Sequence, residues 1–133
     1  MMNQPSANLP AVGTAATKQI DIKFSANGEG TLLAHGLGTY LCLGQPGRKY
    51  PTDLTVFPAD KEALHHSQEF HGALMPWSIR IWGQYGIYIH EGADRLADNG
   101  GPSEGCIHLG EGNARTVYDW VDGRTRIRIA YPW

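Results

Sequence analysis

Apolar residues fall at every second position of Lys18 to Phe24, where Ile20, Ile22 and Phe24 alternate with Asp21 and Lys23. Successive side chains of an extended strand point to opposite faces, so this period of two gives one buried face and one wet face. Ile79 and Ile81 repeat it between Ser78, Arg80 and Trp82, and Arg124 to Ala130 alternates arginine with threonine or isoleucine. Thr31 to Ala34, residues 37 to 43 and Leu54 to Phe57 read as further short strands. Asn27-Gly28-Glu29-Gly30 supplies a hairpin turn, Gly44-Gln45-Pro46-Gly47 ends a strand, and Tyr85 to His90 returns across Gly83 as a second hairpin. Asp60 to Phe70 is polar and follows Pro58, which suits one helical turn or a covering loop. Asn113 to Val121 carries Ala114, Val117, Tyr118 and Val121 at helical spacing, with Gly123 placed as a stop. The expected fold is a mostly β sandwich or barrel of mainly antiparallel strands with one short helix near its end.

The 133 residues suffice for one domain, expected over 18–133 after a flexible leader at 1–17. Eleven basic against thirteen acidic residues leave no basic excess for nucleic acid. No apolar run reaches the ~20 residues of a membrane span. The leader, rich in Ala, Asn, Pro and Thr, has neither the basic start nor the apolar centre of a secretory signal.

Cys42 and Cys106 sit in different settings. Cys42 lies inside the strand-like run Thr39-Tyr40-Leu41-Cys42-Leu43, where a buried inert thiol is the ordinary outcome. Cys106 follows Ser103-Glu104-Gly105, downstream of the apolar strand Gly86-Ile87-Tyr88-Ile89-His90. A thiol becomes a nucleophile when a nearby imidazole takes its proton, and a glycine beside it lets backbone N–H groups turn toward a developing oxyanion. The glycine-containing loop Glu91 to Pro102 suits a chain that doubles back to bring Cys106 alongside His90. His65, His66 and His71 lack the spacing of common zinc sites, so no metal is assigned there.

The segment from His90 to His108 resembles the signature of L,D-transpeptidases of the YkuD-like family: a histidine-glycine pair, a variable loop, then Ser/Thr-His-Gly-Cys, an apolar residue and usually Arg or Asn. Pro51-Thr52-Asp53-Leu54-Thr55-Val56-Phe57 is similar to the family's Pro-Thr-Gly-x-Phe segment, and Met75-Pro76-Trp77 to its Met-Pro-Tyr strand. Roughly residues 18 to 131 follow the family's order of elements.

The resemblance implies a metal-free and cofactor-free cysteine acyltransferase acting on peptidoglycan stem peptides, with L,D-transpeptidase or L,D-carboxypeptidase outcomes. It implies Cys106 as nucleophile, His90 as base, the backbone carbonyl of Glu91 orienting the imidazole, and Gly105 and Cys106 as N–H donors to the oxyanion. Ser103 would hold the turn. Glu104 departs from the pattern, standing where a second histidine is usual; its carboxylate is expected to point outward or to pair with Arg80, Arg95 or His108. His108 replaces the usual Arg or Asn and is assigned to substrate or loop holding. Trp77, Tyr85 and Tyr88 are candidates for lining a peptide groove. The implied location is the periplasm or cell wall of the producing bacterium or of a target. Two other readings stay open: an antibacterial effector opposed by an immunity protein, and a catalytically silent peptidoglycan-binding module.

Overall fold

The computed structural model of the protein describes residues 17–67 and 72–133. The expected leader, apart from Thr17, and His71 lie outside those residues. Among the described residues nine strands form a single mixed sheet in the order β4-β9-β1-β2-β3-β8-β7-β6-β5. Strand β1 (Lys18–Phe24) runs into β2 (Glu29–Ala34) and β3 (Gly38–Leu43), each pair antiparallel. The first turn is centred one residue earlier than the glycines suggest. Gly28, at φ +95°, donates its N–H to Ser25 C=O, and Glu29 is already in the strand.

Strand β4 (Asp53–Val56) lies antiparallel to β9 (Thr125–Ala130), and β9 runs parallel to β1. Thr125, Ile127 and Ile129 are buried while Arg126 and Arg128 face solvent, as the alternation requires. On the wet face Arg126 pairs with Asp53 and Arg128 with Asp21, exposed contacts that solvent screens.

The segment from Asp60, expected to be one helical turn or a covering loop, contains a strand instead. A 3₁₀ turn at Pro58–Asp60 leads into β5 (Lys61–His66), antiparallel to β6 (Leu74–Trp82) at the sheet edge. No residue of β5 is fully buried, so its order comes from backbone pairing and leaves no alternating pattern in the sequence. After a 3₁₀ turn at Gly83–Tyr85 the chain returns as β7 (Ile87–Glu91), the expected hairpin. Strand β8 (Ile107–Leu109) then pairs parallel with β7 and antiparallel with β3. The sheet is thus mainly antiparallel, as expected, and is made mixed by two parallel pairs, β1 with β9 and β7 with β8.

Helix α1 (Asn113–Trp120) packs on β6, β7 and β8 through a face that buries Ala114 and Val117. It ends at Val121, not at Gly123. Lys61 Nζ donates to the carbonyls of Tyr118 and Val121, and Lys18 Nζ to that of Trp120, so two lysines satisfy the helix C-terminus. Strand β4, at one edge, touches β6, next to the other, so the sheet curls around the core of Ile20, Ile22, Leu32, Ile79, Ile89, Ile107 and Ile127.

Candidate active site

The parallel pairing of β7 with β8 sets His90 directly opposite His108. Ile89, Ile107 and Leu109 face the core. The period of two therefore puts Cys106, one residue ahead of β8, on the same side as the two histidines. All three line one cavity of about 530 Å³, together with Leu74, Met75, Gly100 and Glu104. The sheet thus brings the expected nucleophile and base to one space.

His90 is 8% exposed. Its Nδ1 lies 2.8 Å from the Glu91 carbonyl oxygen, and because a carbonyl only accepts, Nδ1 carries the hydrogen and Nε2 the lone pair. Burial, then the neighbouring His108 charge, lowers its pKa from 6.5 to about 4, against the opposing pull of the Glu91 carbonyl. The ring is therefore neutral at physiological pH, as a proton acceptor must be. The Cys106 thiol, 3% exposed, lies 3.7 Å from the Gly86 carbonyl, to which it donates.

The turn before the thiol is held from both sides. Ser103 Oγ donates to Cys106 C=O at 2.6 Å and accepts from Gly105 N–H at 3.3 Å, which matches the expected turn-holding hydroxyl. It also means that the Gly105 amide, expected to face an oxyanion, is turned toward Ser103. Gly105 sits at φ +140°, where a side chain would be strained. Its carbonyl accepts from the Tyr50 hydroxyl at 2.8 Å, and that hydroxyl accepts from Gln45 N–H at 3.0 Å. The C=O and N–H of a trans peptide point in opposite directions, so by fixing this carbonyl Tyr50 also fixes where the Cys106 N–H points. Tyr50 is 1% exposed and was not singled out by the sequence; its only signals are its place just before Pro51-Thr52 and the need of a buried phenol for a partner.

His108 repeats the design of His90. Its Nδ1 lies 3.0 Å from the Ala93 carbonyl, and the two imidazoles meet edge to face at 4.8 Å between centroids. Burial lowers its proton affinity, while the Ala93 carbonyl and the Glu104 carboxylate oppose that shift. Gly92 makes room for this ring: a Cβ there would come within 2.9 Å of His108 Cγ. Glu104 is exposed. Neither arginine suggested as its partner serves, since Arg80 binds Asp60 at 2.9 Å and Arg95 lies beside Asp94 at 3.7 Å.

The aromatic candidates lie elsewhere. Trp77 packs against Tyr118 of α1 at 5.3 Å with the Arg115 guanidinium over its ring, and its φ of +56° is the only positive non-glycine value among the described residues. Tyr85 meets Trp82 edge to face at 4.6 Å between centroids and lines a second cavity of about 380 Å³ with Arg48 and Lys49. Tyr88 shares the His90 face but stacks on His65 at 4.3 Å, beside the cavity rather than in its lining. Cys42 is buried in β3 with its thiol pushed up to about 12 by burial, and both cysteines are free. No group of three His, Cys, Asp or Glu among the described residues is arranged to hold a metal ion.

A family model described as L,D-transpeptidase catalytic domain, YkuD, matches residues 28–129. No curated protein matches the chain. Among solved structures, an L,D-transpeptidase from Stackebrandtia nassauensis superposes with a TM-score of 0.64 at 17% identity, covering 84% of this chain and 54% of that one. L,D-transpeptidase 1 of Mycobacterium tuberculosis gives 0.60 at 23% identity, covering 85% and 58%. An L,D-transpeptidase from Mycobacterium smegmatis gives 0.60 at 21%, covering 84% and 58%. At these identities the likeness is one of fold. The chain spans a little over half the length of each of these structures.

Proposed function

Because the chain belongs to the family of YkuD L,D-transpeptidase catalytic domains, we propose that it is a cysteine acyltransferase acting on peptidoglycan stem peptides. The observation that carries this reading is a neutral imidazole, locked by the Glu91 carbonyl with its lone pair on Nε2, lining the same cavity as the Cys106 thiol.

The chemistry follows from those atoms. His90 Nε2 takes the thiol proton as Cys106 Sγ attacks the carbonyl carbon of the third stem residue. The oxyanion forms beside the Cys106 amide, whose direction Tyr50 fixes through the Gly105 carbonyl. One such donor is worth about 3 kcal/mol of barrier. Collapse breaks the C–N bond, the imidazolium returns its proton to the departing D-alanine amine, and a thioester remains on Cys106. An amine acceptor then gives a 3–3 cross-link or an exchanged residue, and water gives a tripeptide. The periplasm or cell wall is where this substrate lies.

The test is incubation of the protein with disaccharide tetrapeptide, followed by mass spectrometry of the products. Tripeptide, exchanged tetrapeptide or a 3–3 dimer, absent with Cys106→Ala, is the expected outcome. Unchanged tetrapeptide would identify a silent binding module instead.

A further inference from the structure

We propose that Glu104 and His108 form the acceptor-reading part of the cavity: the Glu104 carboxylate binds the ammonium of an alkyl-amine acceptor, and His108 Nε2 takes the proton it must shed. This deepens the acyltransferase reading and rests on it.

Glu104 lines the cavity that holds Cys106, is exposed, and forms no ion pair among the described residues. Arg80 is paired with Asp60 and Arg95 lies beside Asp94, and no lysine or arginine is among the described residues that line this cavity. A carboxylate facing a cavity without a cation invites a cationic ligand. The same cavity carries Leu74, 59% exposed, and Met75. An apolar wall beside a carboxylate suits a positive charge at the end of an alkyl chain, such as the side-chain amine of a diamino acid. A bare α-amino acid would bring its own carboxylate next to Glu104.

The proton count gives His108 its task. An acceptor amine reaches the site as R–NH₃⁺ and attacks as R–NH₂, so one proton leaves before the C–N bond forms. A second leaves the nitrogen as that bond forms, while the C–S bond breaks and the thiolate departs. His90 takes the second proton and returns it to the Cys106 sulfur. His108 takes the first and passes it to solvent. Its ring is fixed for this, since Nδ1–H is bound to the Ala93 carbonyl and the lone pair is left on Nε2. Its position opposite His90 and close against Gly92 sets it in the lining beside the thiol.

The experiment measures partition of the Cys106 acyl-enzyme between two nucleophiles supplied together at neutral pH. Nα-acetyl-lysine amide is an alkylammonium, and hydroxylamine is uncharged. Glu104→Gln is expected to lower the lysine-to-hydroxylamine product ratio about fivefold, and His108→Asn about tenfold. The ratio is internal to each variant, so slower acylation leaves it unaffected. Unchanged ratios in both variants overturn the proposal. If His108→Asn does not fold, Glu104→Gln, a change at an exposed position, decides alone. Should the wild-type protein form no acyl-enzyme, the acyltransferase reading fails. The Glu104 site is then judged by binding of Nα-acetyl-lysine amide to the resting protein: loss in Glu104→Gln upholds it, and equal binding refutes it.

Discussion

Replacing His90 by asparagine separates the cost of keeping that ring neutral from everything else that titrates. In the folded protein the His90 pKa is about 4, lowered chiefly by burial, against 6.5 for the ordinary imidazole. Between those values the unfolded chain binds a proton that the folded chain does not. Stability is therefore complete above pH 6.5 and is lost as pH falls toward 4. The shift predicts a loss of about 2 kcal/mol between pH 7.5 and pH 5, and about 3 kcal/mol by pH 4. Asparagine retains an N–H able to bind the Glu91 carbonyl but has no titrating group. Urea unfolding of both proteins at pH 7.5, 5 and 4 should show the wild type losing that much more than the variant. The contribution of His108 is present in both and largely cancels. Parallel pH profiles would mean that the ring is not held neutral by its surroundings, and the reasoning about the base would fail. The same shift places the acid limb of acylation near pH 4, well below the range of an exposed histidine.

Two further substitutions test how the turn and the histidines are held. Tyr50→Phe leaves the Gly105 carbonyl and the Gln45 amide without their phenol partner in a buried site. It should cost about 3 kcal/mol in thermal or urea unfolding and slow acylation with little change in KM; a stable variant with wild-type acylation would remove Tyr50 from the account. Gly92→Ala sets a methyl group 2.9 Å from the His108 ring, so it should cost about 1–3 kcal/mol and shift the His108 ring signals in NMR. Unmoved His108 signals would show that the ring does not depend on that glycine.

The sequence was legible wherever burial wrote a period into it. β1 and β9 were visible because one face of each is apolar and the other charged. β5 was hidden because an exposed edge strand has no apolar face, and its order comes from hydrogen bonds to β6. The parallel pairing of β7 with β8 left no local mark either, yet it is what sets His90 opposite His108. The helix was visible from Ala114 and Val117, but its end is fixed by lysines from β1 and β5 and not by Gly123. At the site, Cys106, His90 and Ser103 were readable from a short motif. Tyr50 was not, because its hydroxyl meets Gly105 across 55 positions of chain. Aromatic residues near His90 in sequence were poor guides to the cavity, since Trp77 turns to α1 and Tyr88 to His65.

Intact mass after exposure to a carbapenem tests most directly whether Cys106 is the sulfur that His90 activates. The expected result is a single covalent adduct on the wild-type protein, formed far more slowly with His90→Asn and absent with Cys106→Ala. An adduct that survives in Cys106→Ala, or none on the wild type, would contradict it.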